Sequence, residues 1–179
     1  MTTITVPAHD DVSQADQALL DNLKKAMGFV PNLYATMAHS ETALGSYLAF
    51  QNTRRSLKPK ERETVNLVVS QINHCRYCLS AHTMLARKYG LSDEEVLQVR
   101  RGHAPFDPRL DALAKLVKSV VVERGHTDPA ALQAFFDAGF GQGHLVDVVM
   151  AIGVITVTNY LHSTTQVPID FPLAPELDG

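Results

Sequence analysis

Helix start and stop signals recur along the whole chain, whereas the two-residue alternation of a strand is nearly absent. From Ser13, the apolar positions Ala15, Ala18, Leu19, Leu23 and Met27 keep a 3.6-residue period, and Gly28 offers a stop. Phe29-Val30-Pro31-Asn32-Leu33 turns into a short helix to about Ala38, and Ser40 can cap a helix carrying Ala43, Leu44, Tyr47, Leu48 and Phe50. Pro59 suits the first turn of the next helix, which runs through Glu63, Val65, Leu67 and Val68 to Ile72, with a break at Asn73-His74. The helix after the break ends at Gly90. Ser92-Asp93-Glu94-Glu95 reads as a capping box for a helix to about Arg101, and Asp107-Pro108 and Thr127-Asp128-Pro129 start two more. The last helix, from about Gly143 to His162, is apolar almost all round, so burial within the subunit or between subunits is expected. The pattern predicts an all-α helical bundle in a single domain, residues 1–179, ending in a proline-rich extended tail over 165–179.

Hydrophobic residues make up 45% of the 179, enough for one sizeable core, and charged residues 20%. A formal net charge of −3 argues against a nucleic-acid partner or an anionic membrane surface, each of which normally meets a basic face. The longest apolar stretch, Leu145 to Val157, is interrupted by Asp147 and is shorter than the roughly 20 residues of a membrane span. The N-terminus has no basic start followed by an apolar run, so a cytoplasmic, reducing location is the default expectation. In that setting a close cysteine pair points to catalysis or metal binding rather than to a permanent bridge.

The chain has two cysteines, in Cys75-Arg76-Tyr77-Cys78, with His82 following four residues later. If this segment is helical, Cys75, Cys78, His82, Leu85 and Tyr89 share one stripe, because residues three and four apart are neighbours on a helix face. The sulfurs then sit in the first turn, where unpaired backbone N–H groups favour an anion. An ordinary thiol titrates near ~8.5, and a shift of about two units downward makes most of it nucleophilic at neutral pH. His82 is one turn from Cys78 and two from Cys75, which favours Cys78 as the activated nucleophile. Cys75 then resolves the oxidised sulfur by forming the disulfide.

Two plainer readings stand beside this one. Cys75, Cys78, His82 and His74 offer four zinc ligands, although structural zinc sites more often join two separated ligand pairs. Two reduced thiols can also serve simply as small core residues. Glu63, twelve residues before Cys75, would lie roughly 18 Å away on a straight helix. It reaches the sulfurs only if the chain turns at Asn73-His74; otherwise it is a charge on an exposed face beside Glu61 and Arg62. The sequence supports no role for His39, His103, His126, His144 or His162.

Glu63, eleven intervening residues, then Cys75-x-x-Cys78-x-x-x-His82 ahead of Tyr89-Gly90-Leu91-Ser92 resembles the alkylhydroperoxidase (AhpD)-like proteins of the carboxymuconolactone decarboxylase superfamily. Pro31-Asn32-Leu33, Asn159-Tyr160-Leu161-His162 and Val167-Pro168-Ile169-Asp170-Phe171-Pro172 resemble its peroxidase-related branch, so the likeness runs from about residue 29 to 172, centred on 61–90. The resemblance implies an all-α fold, assembly into homotrimers or homohexamers, and a dithiol that reduces hydroperoxides without a cofactor or metal. A lipoyl protein or a thioredoxin-like dithiol would regenerate it. It also implies Glu63 in a proton relay, Cys75 as proton donor and resolving thiol, Cys78 as the peroxidatic cysteine and His82 as its activating neighbour. Tyr77 stands where the characterised peroxidases of the family carry a histidine, and a phenol titrating near ~10 is a poor proton shuttle at neutral pH. His74 is the auxiliary candidate for that place. A lactone decarboxylase-like lyase and a general disulfide oxidoreductase are the alternative activities; the lyase chemistry has no need of two cysteines.

Overall fold

The structure is a computed structural model that describes residues 4–53 and 56–177. Among these residues there are nine α-helices and no strand, the all-α architecture expected. The helices are α1 (Gln14–Met27), α2 (Asn32–Met37), α3 (Ala43–Gln51), α4 (Pro59–Ile72), α5 (Arg76–Lys88), α6 (Asp93–Arg100), α7 (Pro108–Val122), α8 (Pro129–Asp137) and α9 (Gln142–Thr165). They fall into two compact units, one built from residues 4–53 and 160–170, the other from 56–159 and 171–177.

Most boundaries are set by the residues the sequence marks. Ser13 Oγ accepts the Asp16 N–H at the start of α1, and Gly28 closes that helix in the left-handed conformation. Ser92 and Glu95 form the capping box of α6, with Glu95 Oε2 2.7 Å from the Ser92 N–H. Asp107 caps α7 through Arg109 and Leu110, and Asp128 caps α8 through Ala130. Ser40 is not the cap of α3: the helix starts after Thr42, with no side-chain cap, and Ser40 contributes only its carbonyl, to the Ala43 N–H.

In the first unit α3 packs on α1 and α2, burying Leu20, Leu33, Leu44 and Tyr47. Asp170 Oδ2 caps α2 from far along the chain, accepting the Asn32 N–H at 2.6 Å.

In the second unit α4 is central and packs against α5, α6 and α7. Val65, Leu67, Val68 and Val69 meet a core that includes Val96, Val99, Leu113, Leu116 and Val117, all almost fully buried. Arg109 lies over the Phe140 ring at 3.6 Å and reaches Glu61 Oε1 at 2.9 Å, joining α7 to the start of α4. The extended tail is pinned, not loose. Ala174 N–H donates to Ser80 Oγ, Arg100 donates to the Pro175 carbonyl, and Arg76 pairs with Glu176.

Burial separates readings that the sequence left open. Glu61 and Glu63 are buried, not part of an exposed charged face, because α5 and α7 cover the side of α4 that carries them. The residues of α9 are not buried all round. Val148, Ala151, Val154, Ile155 and Asn159 are buried, whereas Val146, Val149, Met150 and Val157 are exposed. At 24 residues α9 is long and apolar enough to cross a membrane by length and composition alone, more than the interrupted stretch suggested. It also carries Asp147, whose carboxylate holds the Ser56 N–H and hydroxyl.

The corner between α4 and α5 has no spare residue. Asn73 ends α4, His74 is left-handed at φ 53°, and Cys75 caps α5. His74 N–H donates to the Gln71 carbonyl and Cys75 N–H to the Ser70 carbonyl, a Schellman closure. A β-carbon at such a φ is strained, so His74→Gly is expected to stabilise the reduced protein by roughly 0.5–1 kcal/mol. Urea unfolding of the two proteins checks this; an unchanged or lower midpoint contradicts it.

Candidate active site

Because the Schellman corner uses Cys75 as its last residue, the same cysteine closes α4 and opens α5. Its Sγ accepts the Cys78 N–H at 3.4 Å, so the backbone donor of the helix start is directed at Cys75 and not at Cys78. Both sulfurs are reduced thiols and both residues are buried, Cys75 at 0% and Cys78 at 3% exposure. The Cys78 thiol is pushed well above the ordinary range, first by its hydrogen bond with Cys75, then by burial. A Cys78 thiol lowered by the helix start and His82 is therefore not what the resting site holds. The backbone N–H at the helix start is directed at the Cys75 sulfur, where such a donor favours negative charge.

Glu63 reaches α5 because α5 folds back along α4. Glu63 stands ten residues before the corner and His82 seven after Cys75, roughly 15 and 10 Å along their helices. They meet with Glu63 Oε2 2.7 Å from His82 Nδ1. The carboxylate is buried, and the imidazole is about 15% exposed. At that distance Nδ1 carries a proton, which leaves Nε2 as the ring atom able to give or take one. Asn66 Nδ2 lies 3.2 Å from His82 Nδ1 and 3.4 Å from Glu63 Oε1. With Nδ1 donating to Glu63, the amide serves the carboxylate and steadies the pair.

The remaining candidates separate. Tyr77 is buried edge-on against Phe171, with ring centroids 5.4 Å apart. His74 is exposed in its left-handed turn. Among the described residues no three His, Cys, Asp or Glu side chains form a group able to hold a metal ion. Three other histidines have side-chain hydrogen-bond partners: His39 Nε2 the Thr5 carbonyl, His144 Nδ1 the Gly141 N–H, His162 Nε2 the Val167 carbonyl.

Three polar residues of the site were not singled out from the sequence. Asn66, three residues after Glu63, was readable in principle, since that spacing puts it on the same face. Asn159 of α9, whose side chain hydrogen-bonds Ser70 and Asn73 at the corner, and its neighbour Thr158 lie about eighty residues away, and no local spacing signals them.

The site is thus a dithiol at one helix start beside a buried carboxylate–imidazole pair, set in a bundle of helices. Residues 35–119 match the carboxymuconolactone decarboxylase family. The fold resembles the AhpD core of an uncharacterized peroxidase-related protein from Ralstonia eutropha JMP134, at TM-score 0.80 and 22% identity over 92% of this chain and 91% of that one. A peroxidase-related protein from Silicibacter sp. TM1040 superposes at TM-score 0.79 with 22% identity, covering 98% and 95% of the two chains. The debrominase Bmp8, in complex with 2,3,4-tribromopyrrole, superposes at TM-score 0.77 with 12% identity, covering 95% and 92%. Comparison with curated proteins gave no match. The family's match thus covers residues 35–119, and the fold over nearly the whole chain is the AhpD-like one.

The raised Cys78 thiol makes stability depend on pH. An unfolded thiol titrates near ~8.5, so above that pH the unfolded chain loses this proton first and the folded chain keeps it. Cys78 thus contributes stability fully below about pH 8.5 and loses it progressively as pH rises further. Urea midpoints of the reduced protein are expected to fall between pH 8.5 and 10, and to fall less in Cys78→Ser. Equal slopes in the two proteins would contradict the assignment.

Proposed function

We propose that this protein is a thiol-dependent hydroperoxide reductase that cycles Cys75 and Cys78 between dithiol and disulfide. The observation that carries the reading is the buried Glu63–His82 pair, 2.7 Å apart, in which α4 supplies the carboxylate and the imidazole stands on the helix whose start bears both sulfurs. A paired imidazole one turn from a dithiol suits proton delivery during sulfur oxidation.

The resting arrangement suggests the order of steps. Cys75, as the favoured anion, takes the proton of Cys78 as the Cys78 sulfur attacks the terminal peroxide oxygen. The O–O bond breaks, Cys78 becomes a sulfenic acid, and the leaving alkoxide takes the proton back from Cys75 to depart as alcohol. The Cys75 thiolate then attacks the Cys78 sulfur, and hydroxide leaves as water with a proton from the His82–Glu63 pair. Two electrons pass from the sulfurs to the peroxide, and an external dithiol, of lipoyl or thioredoxin-like chemistry, returns them. Such a cycle suits a reducing, cytoplasmic setting and needs no metal or organic cofactor. The fold shared with peroxidase-related proteins supports it.

The exposed apolar stripe of α9, Val146, Val149, Met150 and Val157, supports assembly into a homotrimer or homohexamer. Light scattering after gel filtration is expected to show such a species, and Val149→Asp to shift it to smaller mass. A monomeric wild type would contradict the assembly.

The activity is tested by mixing reduced protein with cumene hydroperoxide and following intact mass. Wild type is expected to lose two hydrogens, Cys75→Ser to hold one added oxygen on Cys78, and Glu63→Gln to oxidise about 10- to 100-fold more slowly. Oxidation no faster than that of an ordinary thiol defeats the peroxidase reading. Rapid exchange with small disulfides would then mark a general disulfide oxidoreductase.

A further inference from the structure

Both residues between the cysteines, Arg76 and Tyr77, hold the C-terminal tail. The Phe171 ring stands edge-on to Tyr77 at 5.4 Å, and Glu176 Oε1 lies 2.9 Å from Arg76 Nη2. One turn further along α5, Ser80 Oγ accepts the Ala174 N–H at 3.1 Å. Arg100 donates to the Pro175 carbonyl at 2.7 Å and to Gln71 Oε1 at 2.9 Å, so α6 ties the tail to the end of α4. Phe171 and Ala174 are buried and the two residues between them exposed, the three-residue spacing of a polyproline-II segment. Pro172 and Pro175 bar a helix there and leave the undocked chain with less entropy to lose.

This strap and the sulfurs sit on opposite sides of α5. At about 100° per residue, the face of Arg76, Tyr77 and Ser80 points away from the stripe of Cys75, Cys78 and His82. The stripe is turned to α4, where His82 meets Glu63 at 2.7 Å, and both cysteines are buried. On the outer side Tyr77 and Ser80 are buried as well. Thus α4 holds one side of the dithiol helix and the strap the other. Exchange with a dithiol of another molecule requires access to a sulfur, so α5 has to shift before either cysteine can be reached.

The strap is the weaker of the two holds. It forms no helix, and its ion pair is exposed, with the Arg76 and Glu176 side chains at 54% and 79%, where such pairs contribute little. Local openings are drawn from segments with few buried contacts. We propose that the C-terminal strap is a clamp on the dithiol helix. While it is docked, the first turns of α5 stay pressed on α4 and both sulfurs are closed in. When it lifts, those turns swing outward and bring Cys75 and Cys78 within reach of an external dithiol. Arg76, Tyr77 and Ser80 are the positioning residues of this device.

The inference rests on Cys75 and Cys78 being a reactive pair, and not on peroxide being their oxidant. The test compares reduced wild type with the full-length double variant Ala174→Pro, Glu176→Ala, which removes the N–H held by Ser80 and the carboxylate held by Arg76. Both changes lie on the strap and leave the thiols and the Glu63–His82 pair in the chain. Iodoacetamide alkylation is followed by intact mass at fixed pH over a series of low urea concentrations. The double variant is expected to alkylate about tenfold faster. Its urea dependence is expected to be much shallower than that of global unfolding, because a local opening exposes little surface.

Should the double variant fail to fold by circular dichroism, Glu176→Ala alone is read in its place, with an expected gain of about threefold. A rate within about twofold of wild type in a folded double variant, or unchanged in the single one, overturns the clamp. An acceleration whose urea slope equals that of global unfolding overturns it too, since it marks general destabilisation. Faster alkylation of the variant, while wild type ignores hydroperoxide, leaves the clamp standing and removes the peroxidase reading. Fast peroxide reduction with alkylation unmoved does the reverse.

Discussion

The closure between Cys75 N–H and the Ser70 carbonyl, with His74 left-handed between them, is the constraint on which the site depends. It ends α4 and begins α5 without an intervening loop, so the second helix must return along the first. That return brings Glu63 to His82 and places Cys75 where its sulfur receives a backbone N–H. The same few residues supply Ser70 and Asn73 to hold the Asn159 amide. A looser connection would leave these groups free to move independently, and none of the short contacts would be fixed in advance.

Burial and charge then divide the two sulfurs. Each is enclosed, so neither gains an anion easily from solvation. The helix start gives its donor to Cys75, and the neighbouring sulfur together with burial pushes the Cys78 thiol up. Spacing suggested an activated Cys78 with Cys75 as its resolving partner; the structure directs the backbone donor at Cys75 and pushes the Cys78 thiol up. In the proposed cycle the nucleophile is reached by moving the Cys78 proton to Cys75, and the buried carboxylate–imidazole pair serves the second step. The long apolar helix α9 reaches into this arrangement through Asn159 while leaving another of its faces exposed.

Much of the architecture was legible because helix signals are local. Ser13, Ser92, Asp107 and Asp128 each cap the helix they mark, since a cap needs only its own next few residues. Ser40 misled because nearby capping side chains are interchangeable by pattern, and Thr42 rather than Ser40 precedes the helix. The dithiol and His82 were legible as a stripe, again from spacing on one helix. The burial of Glu61 and Glu63 was not, because it depends on which helices cover α4.

The sequence alone determined nine helical segments, the corner at Asn73-His74, and a dithiol in register with a histidine, since each is written in residues a few positions apart. Tertiary structure decided that Glu63 pairs with His82, that the helix-start donor serves Cys75, and that Asn159 from a distant helix meets Ser70 and Asn73 at the corner. Those outcomes follow from packing α5 and α9 against α4. Packing brings together groups whose separation along the chain carries no information about their separation in space.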